Sequence, residues 1–445
     1  MLTKLTHRLK GDLILPLART FIARGIAALG GLLLVMVLGQ LYGPAGVGIF
    51  ALAQSVYLGA GILARYGMNN SLMRFVGENH TSIAIKIYLR WAINKSLVLS
   101  VAAAVVVYLL SGKLAQWFDA PRLVEVMPGI TLAIPAFTVA FVLGGFMKGI
   151  RRPATACLLE NGSIMLIATG LVWVLERSTL LGIANAGWAM ALAAWLVLGQ
   201  GAWQSRRWFG KQELQAEKNT ATRDEFAASS RAFFVMSLAQ FMQQVLAIMI
   251  AGWLLGTAEL GLFRAAERTA FLITFILLVI NAVLPPRFAT LYRQGNLVGL
   301  NALARKGALL GVALSLPLLL VCLLVPHWVL GLFGPAFSEA ANLLRIIAVA
   351  QLVNVATGSV GFLLNMTGHE KLMRNIALIC NALGLSMFFI LIPLLGALGA
   401  AVALALVLVL QNLTALVFVW RKLGIWMLPI PNILKWMRND RQEAL

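Results

Sequence analysis

The chain has 445 residues, of which 60% are hydrophobic and 12% are charged, and its mean hydropathy is +0.88. Soluble domains carry about 45–50% apolar and about 25% charged residues, so this composition excludes a soluble globular protein. The formal net charge of +20 fits either nucleic-acid binding or the basic loops of a membrane protein, and the placement of the charges decides between the two.

Apolar runs of membrane-spanning length recur from one end of the chain to the other. They predict an all-α polytopic membrane protein. The runs place about twelve transmembrane helices, at residues 14–40, 46–66, 88–110, 126–148, 154–175, 183–203, 232–255, 262–284, 307–325, 341–364, 374–393 and 397–419.

The basic residues predict the orientation of these helices. With a cytoplasmic N-terminus, 30 of the 36 Lys and Arg residues fall in segments on the inner side. We therefore expect a multi-pass protein of the cytoplasmic (inner) membrane with both termini in the cytoplasm. The positive charge then reflects orientation, and nucleic acid is not expected as a partner.

A long polar stretch and an internal repeat divide the chain into two halves. LYGPAGVGIFALA at 41–53 resembles LLGTAELGLFRAA at 254–266, at an offset of 213 residues. Two even-numbered halves point the same way, which predicts a pseudo-twofold axis along the membrane normal and a substrate site between the halves. The predicted parts are a six-helix bundle at 1–203, a cytoplasmic linker at 204–231, a second six-helix bundle at 232–420 and a cytoplasmic tail at 421–445.

Motifs for catalysis or for bound groups are absent from the sequence. It contains no CxxC pair, no HExxH pair and no glycine-rich phosphate loop, and its three cysteines and four histidines are scattered. We expect no catalytic residues, no metal site, no cofactor and no enzymatic activity.

Three segments carry a resemblance to a known family: LYGPAGVGIFALAQSV at 41–56, FMKGIRRP at 146–153 and LLNMTGHEK at 363–371. They resemble the polysaccharide biosynthesis membrane proteins, the Wzx-type flippases of the multidrug/oligosaccharidyl-lipid/polysaccharide (MOP) exporter superfamily. The resemblance implies a MATE-like fold with a cationic central cavity that moves polyprenyl-diphosphate-linked oligosaccharides outward. Membrane lipids and other polysaccharide-assembly proteins are the further partners that it implies.

Arginines inside predicted spans are the first candidates for substrate binding, since a charge at the bilayer centre requires a partner or a polar cavity. Arg24 lies some ten residues into the first span, where it either reaches back to the headgroups or binds a diphosphate. Arg264, Glu267 and Arg268 share one helix face, either as an internally neutralised patch or as a cavity wall. Arg65 ends the second span, either as an orienting charge or as part of a basic rim for an anionic headgroup.

Polar and acidic side chains in the spans complete the candidate site. Ser237, Gln240 and Gln244 form a stripe suited either to interhelical hydrogen bonds or to sugar hydroxyls. Glu160 and Glu267 are the candidate carriers of a coupling ion, although pairing with nearby arginines is the simpler interpretation of Glu160.

Two other functions compete with the flippase. A cation-coupled multidrug exporter of the same superfamily needs intramembrane acids for cation and drug, and only Glu160 and Glu267 qualify. A membrane-embedded glycosyltransferase or polymerase needs a large outer catalytic loop, whereas the longest predicted outer loops, 111–125 and 326–340, have only about fifteen residues. The sequence therefore favours the flippase.

Reporter fusions test the predicted topology, which follows from the distribution of basic residues. We expect outside signals after residues 115, 180, 258 and 335, and inside signals after residues 80, 215, 295 and 430. An outside signal after residue 215 contradicts both the twelve-helix count and the repeat.

Overall fold

The computed structural model describes residues 2–79, 81–215, 222–241 and 245–428, with the side chains of 2–17, 161, 239, 240, 282, 283 and 286 outside the description. Within these ranges the chain is helical, and the only β pairing is an isolated bridge between Ser82 and Gln215. The helices are α1 (Leu2–Arg65), α2 (Met68–Glu78), α3 (Ala84–Trp117), α4 (Leu123–Gly149), α5 (Pro153–Cys157), α6 (Ser163–Ser178), α7 (Ala184–Phe209), α8 (Arg223–Phe241), α9 (Ala247–Leu254), α10 (Thr257–Phe271), α11 (Phe275–Arg293), α12 (Leu297–Leu324), α13 (Pro326–Gly331), α14 (Ala341–Thr357), α15 (Val360–Met366), α16 (Glu370–Leu395) and α17 (Ala397–Leu423), with a π-helical turn at Leu158–Gly162 and 3-10 turns at Leu272–Thr274 and Pro335–Ala340.

Membrane-spanning helices dominate the described residues. Seven helices there are long and apolar enough to cross a membrane, and an eighth span results if Pro153–Glu160 and Ser163–Ser178, bent by 42°, count as one. This confirms the predicted all-α polytopic class, while the number twelve stays a prediction. One of the seven, Ala18–Arg65, has 48 residues, and at about 1.5 Å per residue it is roughly twice as long as the hydrocarbon layer is thick.

A kink at Gly43 divides this long helix into two segments. The residue has φ 67° and ψ −171°, which breaks the helix between the first and second predicted spans. Gly tolerates positive φ without a steric penalty, so it suits this position. The kink thus lies inside the gap 41–45 that the hydropathy pattern leaves between the two spans.

The amphipathic helix α2 lies in a stretch that hydropathy assigns only to a loop. Met68, Leu72 and Val76 recur every fourth residue and are buried, as is Ser71. This spacing places them on one face, against α4 and α3. The helix is too short and too polar to span a membrane, and for that reason the hydropathy pattern does not reveal it.

The first of two compact units comprises Met1–Ala265 and Gly331–Phe337. Its central helix is α4, which packs against α1, α2, α3 and α7 and is buried along most of its length. Consistent with that position, α4 is apolar on all sides rather than on one stripe.

The second unit comprises Ala266–Leu330 and Ser338–Leu445. Its core draws on α11, α12, α15, α16 and α17, and includes the fully buried residues Phe288, Leu300, Leu363 and Leu364. The predicted boundaries of bundles, linker and tail remain a proposal, and parts of that linker (216–221) and tail (429–445) lie outside the described residues.

A reciprocal helix contact inside the first unit joins the two copies of the repeat. A β-carbon at Gly48 would lie 1.8 Å from the carbonyl oxygen of Thr257, and one at Gly261 would lie 1.9 Å from the carbonyl oxygen of Pro44. Pro44 corresponds to Thr257, and Gly48 to Gly261, at the offset of 213 residues. Such reciprocity is the signature of two equivalent segments meeting across a local twofold axis.

The substitution Gly48→Ala tests this contact. The added methyl group would collide with backbone, which cannot rotate away, and overpacking typically destabilises by about 1–3 kcal/mol. We expect a lower Tm of the purified protein in detergent and less protein in the membrane. Gly170→Ala is the matched control because its β-carbon would meet nothing within 4 Å, and equal Tm values for both variants would contradict the close approach.

Candidate functional site

Arg65 is turned into the first unit rather than toward the membrane surface. Only 6% of it is exposed, and its Nε donates a hydrogen bond to the Gly61 carbonyl oxygen at 3.1 Å. Its guanidinium carbon lies 3.6 Å from the ring centroid of Phe141 and 5.8 Å from that of Phe137. Cation–π contacts of this kind stabilise a desolvated guanidinium, so the interior of the unit, and not lipid headgroups, surrounds the charge.

Three buried polar atoms around Arg65 have no hydrogen-bond partner among the described residues: Arg65 Nη1, the Tyr57 hydroxyl and Thr138 Oγ1. Tyr57 and Thr138 are fully buried, and the Tyr57 ring packs on Phe137 with centroids 4.4 Å apart. Nearly all buried polar groups in native proteins are hydrogen-bonded. Each of these three groups can donate, which makes them candidates for contacts to an oxygen-rich ligand.

An ion pair between α4 and the π-helical turn lies on the same side of the unit. Lys148 Nζ lies 2.5 Å from Glu160 Oε1. Gly144, one turn before Lys148 on α4, makes room for the carboxylate, since a β-carbon there would lie 2.7 Å from Glu160 Cγ. A π-helical turn is rare and frequently marks a functional site.

Two arginines add to the charge around this acid. Arg65 and Arg24 both interact electrostatically with the Glu160 carboxylate, in addition to Lys148. The ion pair of Glu160 among the described residues is with Lys148 rather than with an arginine, and the arginine pairing expected from the sequence stays a prediction. We call Arg24, Arg65, Lys148, Glu160 and Tyr57 the Glu160 cluster; it holds three cations and one acid.

A second polar contact follows from the Gly48–Gly261 crossing. Arg264 Nη2 donates to Gln54 Oε1 at 3.3 Å, and both residues are buried, with 3% and 6% exposed. Gln54 Nε2 also lies 3.5 Å from Met165 Sδ. Because the amide is neutral, this contact orients the Arg264 guanidinium without neutralising it.

The structure describes the remaining predicted site residues only in part. Ser237 is buried, and its hydroxyl donates to the Phe233 carbonyl oxygen at 3.0 Å, a contact within its own helix. Gln244 and the side chain of Gln240 lie outside the described residues. Glu267 and Arg268 belong to α10, but to the second unit.

The expected absence of a metal site and of catalytic residues stays a prediction from the sequence. In the described ranges, no three His, Cys, Asp or Glu residues lie close enough to hold a metal ion.

Comparisons with known proteins fit this description. The chain matches the polysaccharide biosynthesis protein family over residues 18–292 and the MatE family over residues 232–390. No curated protein is similar enough in sequence to count as a relative.

Solved structures with the same fold are transporters. An inward-facing multidrug resistance MATE family transporter of the MOP superfamily has a TM-score of 0.69 at 16% identity, covering 89% of this chain and 94% of its own. The lipid II flippase MurJ in an inward closed conformation has a TM-score of 0.69 at 11% identity, covering 90% and 87%. A MOP superfamily transporter from Pyrococcus furiosus has a TM-score of 0.56 at 15% identity, covering 92% and 94%. These likenesses establish the MATE-like fold.

Proposed function

The chain belongs to the polysaccharide biosynthesis protein family, and we propose that it is a flippase for a polyprenyl-diphosphate-linked oligosaccharide. It passes this lipid from the inner to the outer leaflet for the synthesis of a surface polysaccharide, whether O-antigen, capsule or exopolysaccharide. The family match and the MOP superfamily fold support a membrane transporter or flippase. The substrate class is our own proposal.

The excess of cations in the Glu160 cluster is the observation that carries the proposal. Arg24, Arg65 and Lys148 outnumber the single carboxylate of Glu160. An anion in a low-dielectric membrane interior must stay paired, and a diphosphate carries enough charge to engage several cations at once. Arg65 suits this role because its planar fork matches phosphate oxygens bidentately.

Partner exchange is the mechanism that we propose for the cluster. The arriving diphosphate replaces the Glu160 carboxylate as the ion-pair partner of Lys148. Arg65 Nη1 and the Tyr57 hydroxyl donate hydrogen bonds to the diphosphate oxygens. The displaced carboxylate then loses its closest cation and binds a proton or a metal cation instead. Arg264 and Arg268 receive the headgroup later on the outward path, and Ser237, Gln240 and Gln244 contact sugar hydroxyls.

A cation-coupled multidrug exporter is the competing function, and the MatE match over 232–390 favours it. A site for cationic drugs requires an excess of acids, whereas the Glu160 cluster has an excess of cations. Site polarity differs within the superfamily: the Pyrococcus furiosus protein is described as having a binding pocket of reverse polarity that suggests a different function. The sign of the charge therefore favours an anionic substrate for this chain.

Substitution of the cluster's arginines tests the substrate's charge. We expect Arg65→Ala and Arg24→Ala each to reduce surface-polysaccharide export at least tenfold at unchanged membrane abundance, since a charge-assisted hydrogen bond contributes about 1.5–3 kcal/mol. Lys at either position should restore only part of the export because it lacks the fork geometry. The assay is complementation of a strain that lacks this chain.

Arg74→Ala is the matched control, because Arg74 is a well-exposed cation on α2 whose only ion pair in the described residues is with Glu78. Normal export by Arg24→Ala, Arg65→Ala, Arg264→Ala and Arg268→Ala at wild-type abundance would overturn the anionic substrate. The neutral or cationic substrates of a drug exporter would then become the better explanation.

Neutralising the candidate acids tests coupling to an ion gradient. We expect Glu160→Gln to remove the gradient dependence of flipping in reconstituted vesicles, because the amide retains the shape of the side chain but has no negative charge to attract a cation and no titratable proton. Glu267→Gln is measured in parallel, and Glu78→Gln on the exposed face of α2 is the control. Unchanged gradient dependence in both test variants removes these acids from the mechanism.

A further inference from the structure

An open surface cavity of about 530 Å³ on the first unit is lined by residues of α3 and α7. Its walls include Lys86, Arg90 and Asn94 from α3, and Arg206 and Phe209 from α7. The three α3 residues are spaced four apart and therefore share one helix face. None of them belongs to the Glu160 cluster, so the mechanism proposed above leaves this cavity unexplained.

The charge of the cavity has one sign. Of the described residues that form its walls, Lys86, Arg90 and Arg206 are charged and none is acidic. Among the described residues, none of these cations lies within ion-pair distance of a carboxylate. Three accessible cations around one cavity attract a phosphate-bearing ligand.

The position of the cavity along the helices indicates a lipid rather than a soluble anion. The predicted span of α3 begins at residue 88 and that of α7 ends at residue 203, so the cationic wall lies at the level of the inner headgroups. Further along the same face of α3, toward the membrane centre, Leu97 and Val101 are 41% and 46% exposed. A cationic cavity that continues into an apolar strip matches a phosphate headgroup followed by an acyl chain.

We propose that this cavity binds an anionic glycerophospholipid of the inner leaflet, with its phosphate held by Lys86, Arg90 and Arg206 and an acyl chain along Leu97 and Val101. Asn94 donates its amide hydrogens to the glycerol or ester oxygens. The bound lipid is a resident of the protein's surface and not its cargo.

Native mass spectrometry of the purified full chain tests the proposal, with phosphatidylglycerol and phosphatidylcholine as probes. We expect one phosphatidylglycerol retained in preference to phosphatidylcholine, and at least about tenfold weaker retention in Lys86→Gln/Arg90→Gln/Arg206→Gln, because each cation near a headgroup contributes to anionic-lipid binding. The matched control is Arg74→Gln/Arg207→Gln/Lys211→Gln, which removes the same charge from residues outside the cavity. Retention by the control should equal that of the wild type.

Three outcomes overturn the proposal. One is equal retention of phosphatidylglycerol and phosphatidylcholine by the wild type. Another is an equal loss of phosphatidylglycerol retention in the cavity variant and in the control. The third is displacement of phosphatidylglycerol by inorganic phosphate, which assigns the cavity to a soluble anion, or by a polyprenyl diphosphate, which assigns it to the substrate's path. The substituted side chains are exposed, so the variants test binding rather than folding.

Discussion

A charge inside a membrane requires a partner, and this requirement organises the first unit. The Glu160 carboxylate is held by Lys148 and lies in the field of Arg24 and Arg65. The aromatic rings of Phe137 and Phe141 stabilise the buried positive charge of Arg65 through cation–π contacts with its guanidinium. Because the cations outnumber the acid, we propose that the cluster binds an anion. An imbalance of this kind is expensive in a low-dielectric interior, and a binding site is its usual explanation.

Small residues make that electrostatic arrangement geometrically feasible. Gly144 lets Glu160 lie directly against α4, and the same helix supplies Lys148 one turn later. Gly48 and Gly261 bring two helix backbones into contact, which places Arg264 beside Gln54. Close approach and polar pairing therefore occur together, as expected where helices associate in lipid through small residues and hydrogen bonds.

Hydropathy accounts for the membrane class because a spanning helix must be apolar over a fixed length, and the kink at Gly43 falls in a gap that hydropathy leaves. Hydropathy misses α2, whose apolar residues cover only one face.

Hydropathy also cannot distinguish an arginine that reaches lipid headgroups from one that turns inward, since both lie at the end of a span. Arg65 and Lys148 share that position in the sequence, and only the packing around Phe141 and Gly144 shows that Arg65 is buried and that Lys148 pairs with Glu160. The similarity of residues 41–53 to 254–266, in contrast, has a structural counterpart in the reciprocal backbone contacts of Gly48 and Gly261, while the repeat of the two whole halves stays a prediction.

The π-helical turn that contains Glu160 can convert to an α-helical turn, and this conversion moves the flanking helix. A π turn holds about one residue more than an α turn, so converting it to an α turn shifts the register of the flanking helix by one residue, a screw motion of about 100° and 1.5 Å. The segments on either side of this turn, Pro153–Glu160 and Ser163–Ser178, already differ in direction by 42°. Winding this single turn into an α turn would therefore rotate the Glu160 carboxylate relative to Lys148.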